Sequence, residues 1–382
     1  MKLMHLSDLH IGKRLNEVNL IEDQAYILDQ IITLAGTIAP DGILLAGDIY
    51  DKSMPSSEAI RLFDDFLSKI AQLKIPCFVI SGNHDSPERI AFGSSIMAGQ
   101  NIFMSKVFNG KIEPVSLTDA FGEVMIYMLP FIKPAHVKAF HEGANIESYE
   151  EALSQVIESL TLDQSKRNVL VMHQFITGKG TAVDRSDSES ISVGGSDNID
   201  VSVFKAFDYV ALGHLHKPHS IGRETVRYAG SPLKYSFSET QHIKSVTLIT
   251  LNEKGSILID ALPLVPKRDL RKIKGPIDAL LSKERYRDTN LEDYIHVTLT
   301  DESEILDAIG RMRQVYPNIM SIDFENNRSR TLSNKTGADS LDDKTDLELF
   351  SEFYALQNNE VLCEEKLAIV RDLLEKLGEE QR

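Results

Sequence analysis

In the stretch Cys77-Phe78-Val79-Ile80-Ser81-Gly82-Asn83-His84-Asp85, four apolar residues stand directly ahead of an amide, an imidazole and a carboxylate. A short run rich in β-branched and aromatic residues, closed by Ser-Gly, has the length and composition of a buried strand. Asn83, His84 and Asp85 therefore fall just past a strand end. The arrangement recurs four times: Leu3-Met4-His5-Leu6 ahead of Asp8-Leu9-His10, Ile43-Leu44-Leu45-Ala46 ahead of Gly47-Asp48, Val169-Leu170-Val171-Met172 ahead of His173, and Tyr209-Val210-Ala211-Leu212 ahead of Gly213-His214-Leu215-His216. Strand ends converge on one edge of a sheet, where open α/β sheets form their crevices. Groups scattered from Asp8 to His216 can thus meet at one point.

The residue types fit two divalent cations. A pair of such ions about 3.5 to 4 Å apart activates water and neutralises the charge that builds on a phosphate under in-line attack. Asp8 and His10, two apart on extended chain, point the same way and can grip one ion. Asp48 is the carboxylate expected to be shared by both, with Gly47 allowing close backbone approach. Asn83 offers a neutral oxygen where a further carboxylate would overload the site, His173 adds a nitrogen, and His214 and His216 repeat the two-apart geometry, one to each ion. A lone histidine at a strand end is by default a hydrogen-bonding loop residue. Seven candidate ligands, Asp8, His10, Asp48, Asn83, His173, His214 and His216, in the same strand context argue for a site.

His84, beside Asn83, is the natural proton donor for a departing oxygen, with Asp85 expected to fix its tautomer. The plainer reading makes His84 another ligand or a turn residue. His5 lies inside the first strand and His219 after the last ligand pair, and both are expected to be structural. His136, His141, His242 and His296 have no partner pattern, so surface or core roles are their default.

At 382 residues the chain is long for one domain and short for three. Apolar strands alternate with amphipathic segments such as Leu20 to Ile38 and Ser57 to Leu73, the pattern of a layered α/β sandwich. Val226 to Tyr228, Ser245 to Leu251 and Ile257 to Leu262, with a tight turn at Asn252 to Gly255, are expected to close that domain as antiparallel strands. The expected division is a catalytic core at 1–265, a small α/β cap at 266–326, a polar linker at 327–346 and a helical tail at 347–382. In the cap the order is strand, helix, strand, helix, strand, with the second helix from Glu302 to Val315. Apolar stripes at Leu347, Phe350, Phe353 and Tyr354, and at Leu367, Val370, Leu374 and Leu377, mark two tail helices.

No run approaches the roughly 20 apolar residues of a membrane span. The first ligand block at Asp8 leaves no room ahead of it for a cleavable leader. Two cysteines, Cys77 and Cys363, make neither a disulfide framework nor a zinc pattern and suit a reducing cytoplasm. The net charge of −16 disfavours nucleic acid. Its distribution softens that objection: residues 333–382 hold 13 acids against 6 bases, whereas Lys267, Arg268, Arg271, Lys272 and Lys274 form a basic strip that either holds a polyanion, the candidate DNA contact, or is a solvated face.

The series D-x-H, GD, GNHD, H, G-H-x-H resembles the calcineurin-like metallophosphoesterase superfamily. Within it, Ser7 to Gly12, Gly47 to Asp51, SGNHDSPER at Ser81 to Arg89, FDYVALGHLH at Phe207 to His216 and YAGSP at Tyr228 to Pro232 resemble the SbcD family, the nuclease subunits of bacterial SbcCD complexes. The resemblance is strong over residues 1 to about 265. It implies a layered β-sandwich core flanked by helices, a small α/β cap and a helical tail. It also implies one metal on Asp8, His10, Asp48 and His216 and another on Asp48, Asn83, His173 and His214, with His84 as catalytic acid. Manganese is the expected ion, and the expected activity is a 3'-to-5' exonuclease on duplex DNA ends and an endonuclease on single strands and hairpins. The implied partner is SbcC, a coiled-coil ATPase docked by the tail helices. A homodimer through helices near 57–73 and 87–100 would complete a heterotetramer serving DNA repair and recombination. Some relatives carry histidine where Asp51 stands, so the phosphate-handling role of that position does not carry over.

Two other classes compete. A cyclic-nucleotide or other small-molecule phosphodiesterase would keep all five blocks but needs neither cap, basic strip nor paired tail helices. A non-catalytic scaffold is opposed by the unbroken ligand set. Phosphoprotein phosphatases carry GDxVDRG and GNHE, whereas Asp51 is followed here by Lys52-Ser53 and the other block ends in Asp85.

Overall fold

A computed structural model describes residues 1–141, 145–178, 186–189, 198–325, 345–358 and 361–380. The chain divides into two compact units, Met1–Leu270 and Arg271–Arg382.

In the first unit, two six-stranded sheets form the core. One runs in the order Ile257–Pro263, Ser245–Leu251, Lys2–Leu6, Gly42–Ala46, Cys77–Ile80, Ile102–Met104. The other runs His219–Ile221, Arg223–Tyr228, Tyr209–Gly213, Arg167–His173, Gly122–Leu129, Val115–Asp119. Side chains alternate across each strand, which shows why these runs are apolar throughout. Val169, Val171, Tyr209 and Ala211 join Leu3, Leu44 and Phe78 in one core, while Leu170, Met172, Val210 and Leu212 join Leu153 and Val156 of the helix Tyr149–Ser159 in another.

The helices Ile21–Ile38 and Ser57–Leu73 follow their amphipathic patterns, burying Ile27, Ile31 and Ala35 on the first and Phe63, Phe66 and Ile70 on the second. Ser56 caps the second helix by accepting from the Ala59 amide, and Lys74 ends it in the left-handed conformation. The strands that end at the ligand blocks are parallel neighbours: Lys2–Leu6 with Gly42–Ala46, that strand with Cys77–Ile80, and Arg167–His173 with Tyr209–Gly213. Their carboxyl ends therefore lie together. The expected antiparallel closure holds for the hairpin Ser245–Leu251 and Ile257–Pro263, which adds to Lys2–Leu6. Arg223–Tyr228 instead runs parallel to Tyr209–Gly213 and takes its antiparallel partner from His219–Ile221.

The second unit holds a three-stranded sheet ordered Leu270–Gly275, Tyr294–Leu299, Ile319–Phe324. Ile273, Ile295, Val297, Met312 and Tyr316 share its core. The helix expected from Glu302 begins only at Ala308. Asp307 takes φ 49° and caps it by accepting from the Gly310 amide, so the preceding residues cannot continue the helical run. The tail forms the helices Asp346–Asn358 and Glu364–Glu380. The expected linker, 327–346, lies outside the described residues except for its last two positions.

Candidate metal centre

All seven expected ligands meet at the carboxyl edge of the strands. The backbone there is bent: Asp8 (φ 53°), His10 (φ 42°), Asp48 (φ 49°) and His214 (φ 110°) all sit at positive φ, which residues with a Cβ rarely adopt. Strain of this kind persists where the surrounding structure over-determines it. Hydrogen bonds do so here: the Asp8 amide donates to Gly47 O at 3.0 Å, the His10 amide to Asp48 O at 2.9 Å and the His214 amide to Asp8 Oδ1 at 3.0 Å. Gly82 and Gly213 permit the close approach. A Cβ on Gly82 would collide with the Asp48 carboxylate, and one on Gly213 with the Ala46 carbonyl and the His173 ring.

Two overlapping sets of donor atoms result. In one, His10 Nε2 lies 3.1 Å from His216 Nε2 and 3.6 Å from Asp48 Oδ2, with Asp8, His10 and His216 close enough to share an ion. In the other, Asn83 Oδ1 is 3.0 Å from both His173 Nε2 and His214 Nδ1, and Asp48 Oδ2 is 3.3 Å from His173 Nε2. Asp48 thus stands between the sets, as a shared carboxylate must.

The donor chemistry fits cations. His173 Nδ1 lies 2.8 Å from Ala46 O, and a carbonyl accepts only, so Nδ1 carries a proton and Nε2 faces two further acceptors, Asn83 Oδ1 and Asp48 Oδ2. A second ring proton or a bound cation satisfies that arrangement. Burial alone would lower the His173 pKa, but the Asp48 charge and hydrogen bond lift it to about 9. Burial opposes ionisation of Asp48 too, yet His173, His10 and His84 hold it well below the usual carboxylate range. Burial pushes Asp8 up to about 6 against the pull of His173 and His216. His10 is held well below its ordinary value, chiefly by burial.

His84 is half-buried and, with Asn83, lines an open cleft of about 500 Å³ whose other wall is the loop Asp51 to Met54. Its amide donates to Asp48 Oδ1 at 2.9 Å, and its Nδ1 lies 2.9 Å from Asp51 O. The expected tautomer role of Asp85 is corrected. Its carboxylate is occupied by three backbone amides, Gly82 at 2.8 Å, Tyr50 at 2.9 Å and Ile49 at 3.0 Å, and a backbone carbonyl, that of Asp51, holds the His84 ring. Asp85 shapes the loop beneath His84. Burial and the Asp48 charge raise its pKa to about 6 against those three hydrogen bonds.

The basic strip is largely paired. Lys267 and Arg268 bind Glu22, Arg268 also binds Asp23, Arg271 binds Asp293, and Lys274 binds Glu325. Lys272 is exposed. Any phosphate contact by the other four would compete with a carboxylate already in place.

Among the remaining histidines, His5 is fully buried with Nδ1 3.0 Å from the Tyr209 hydroxyl, a structural role as expected. Residues that sequence reasoning missed lie behind His216, whose Nδ1 is 3.2 Å from Glu239 Oε1 and 2.8 Å from Ser188 Oγ. The only signal is an acid at the end of Ser236-Phe237-Ser238-Glu239, soon after the YAGSP block.

The calcineurin-like phosphoesterase family model matches residues 1–218, and a second model, described as the type 5 capsule protein repressor C-terminal domain, matches residues 266–358. The SbcD component of the SbcCD nuclease of Staphylococcus epidermidis is 36% identical over 326 residues, covering 84% of this chain and 85% of that protein. The chain belongs to the SbcD family of calcineurin-like phosphoesterases. As a family member it is a phosphodiester hydrolase of the nuclease type. Solved structures to which the chain shows some similarity include a dimetal phosphatase from Danio rerio (TM-score 0.42, 12% identity, 70% of this chain and 98% of that one) and a Thermus thermophilus protein (TM-score 0.39, 14% identity, 68% and 98%).

Proposed function

We propose that this SbcD-family chain is a two-metal DNA nuclease, acting from the 3' side on duplex ends and endonucleolytically on single strands and hairpins, in repair and recombination. The observation that carries the reading is the convergence of seven donor side chains from five strand ends on one cluster, with His84 beside it. One ion would be held by Asp8, His10, Asp48 and His216, the other by Asp48, Asn83, His173 and His214, and manganese suits this mixture of carboxylate, amide and imidazole. When bound, two such ions supply an activated water and neutralise charge on the phosphate.

The chain's own residues do the rest. A hydrogen bond from Nδ1–H to the Asp51 carbonyl orients the His84 ring, and the imidazolium would deliver its Nε2 proton to the departing sugar oxygen. The His84 amide on Asp48 Oδ1 ties that acid to the shared carboxylate, so the distance between proton donor and pocket is set by the loop rather than by a flexible side chain. Asp85, by gathering three amides, keeps the loop in that shape.

The Staphylococcus epidermidis relative is named as part of SbcCD, and on that basis the partner is a coiled-coil ATPase of the SbcC kind. Phe350, Phe353, Ile369 and Leu373 on the tail helices are exposed, and short helices with uncovered apolar faces gain stability from a partner. Phe92 and Ile96, 84% and 82% exposed, support a homodimer through the region 87–100. A reducing cytoplasm remains the proposed compartment, with both cysteines unpaired. The deciding experiment sets manganese-loaded protein on end-labelled duplex, hairpin and cyclic nucleotide side by side. Cleavage of both DNA substrates is expected; hydrolysis of the cyclic nucleotide alone would overturn the assignment.

A further inference from the structure

His216 is the most constrained group in the pocket. Its amide donates to Glu189 Oε1 at 2.7 Å, and its carbonyl accepts from Lys244 Nζ at 2.8 Å and from the Ser231 amide at 3.2 Å. Its Nδ1 faces Glu239 Oε1 and the Ser188 hydroxyl. The remaining nitrogen, Nε2, points at His10 Nε2. Behind it lies a buried ion pair: Glu239 is fully buried, Lys244 nearly so, and Lys244 Nζ stands 2.5 Å from Glu239 Oε2. Ser188 Oγ donates to Glu239 Oε1 at 2.6 Å, and the Tyr235 amide approaches the same oxygen at 3.3 Å.

We infer that Glu239, with Lys244 as its counter-ion, is a positioning residue that builds the cation site served by His216. A carboxylate beside Nδ1 requires the proton there, which leaves the Nε2 lone pair for a divalent ion. Lys244 has two functions. It keeps Glu239 ionised where a lone carboxylate would be costly to bury, and by gripping the His216 carbonyl it fixes the backbone from which the ring projects. His173, by contrast, is oriented by the neutral carbonyl of Ala46. The two cation sites are therefore unequal, and the one carrying His216 is backed by charge.

A purely structural ion pair makes a different prediction. Replacing a buried pair by apolar groups of similar volume is often neutral for stability, so a pair that only supports the fold is dispensable when both members go. The role of Glu239 rests on the two-metal reading, and the test separates them. Metal-stripped full-length protein is titrated with Mn²⁺ by calorimetry, bound manganese is counted, and thermal stability is followed in parallel. The parent should take up two ions. Glu239→Gln presents Lys244, which only donates, with an amide whose oxygen it will claim, turning the amide NH₂ toward His216 Nδ1 and favouring the wrong tautomer. One of the two ions should then bind about 10- to 100-fold more weakly, with the other unchanged. The double variant Glu239→Met, Lys244→Met, which replaces the pair by apolar groups of similar volume and leaves His216 Nδ1 without a carboxylate, should recover parental melting while keeping the defect at one site, which also covers a single variant that fails to fold. A folded variant that binds both ions with parental affinities overturns the role of Glu239 and leaves the two-metal reading standing. A parent that binds fewer than two ions removes both.

Discussion

His84 and Asp48 sit within hydrogen-bond reach of each other yet have separable functions. His84→Ala removes a proton donor but none of the seven acceptor atoms, so manganese uptake should persist while DNA cleavage falls by about 100- to 10,000-fold. Asp48→Ala opens the centre of both donor sets and should lose uptake and cleavage together. Loss of metal from the His84 variant would reassign it as a ligand. His5 supports a prediction of another kind. Burial holds its pKa down at about 3, against 6.5 in the unfolded chain. As pH falls below 6.5 the unfolded state takes up this proton first, so the stability associated with neutral His5 is complete above that pH and drains away toward pH 3. It is on the order of 5 kcal/mol in all. His5→Gln, which keeps an acceptor for Tyr209, should flatten the decline of denaturation midpoint between these limits; parallel parent and variant curves would refute it. At this scale the proposed ligands are legible in sequence because residue type and strand context suffice to nominate them. Asp85 and Glu239 are not, since their partners are backbone amides and a lysine that only packing reveals.

The parallel strands do the collecting, and their fully buried runs made them easy to anticipate from composition. The less legible pieces are governed by single backbone angles. Asp307 delays its helix to Ala308, and the positive φ values at Asp8, His10, Asp48 and His214, though Asp and His favour them more than other side chains do, are too uncommon to read from residue type. Gly82 tests the close packing of strand ends: Gly82→Ala drives a methyl group against Asp48 and should abolish uptake of at least one ion, read by elemental analysis, although it changes no ligand. The short helices Pro87–Ala91 and Ser94–Met97 flank Phe92 and Ile96. If these form the dimer contact, Phe92→Glu with Ile96→Glu should give a monomer by light scattering without lowering the melting temperature. A persisting dimer would move the contact elsewhere. A chain ending at Glu325 should likewise lose partner binding while retaining cleavage of short DNA.

Across the first unit, metal binding should be coupled to folding. An occupant that binds only the folded state at 100 times its dissociation constant adds about 2.7 kcal/mol, so saturating manganese should raise the melting temperature and a chelator should reverse it. Asp48→Ala should show neither change. Closure of the unit is long-range: Lys2–Leu6 lies between Gly42–Ala46 and Ser245–Leu251, and the Met1 amino group bonds Leu251 O at 2.8 Å and Asp119 at 2.7 Å. During synthesis the amino-terminal strand must wait, half covered, until the Ser245–Leu251 segment has left the ribosome. Contacts this distant in sequence are slow to form and leave an edge open meanwhile. A nascent polypeptide that has emerged only as far as Asn83 therefore holds an incomplete donor set, because His173, His214 and His216 come from the second sheet and lie further along the chain.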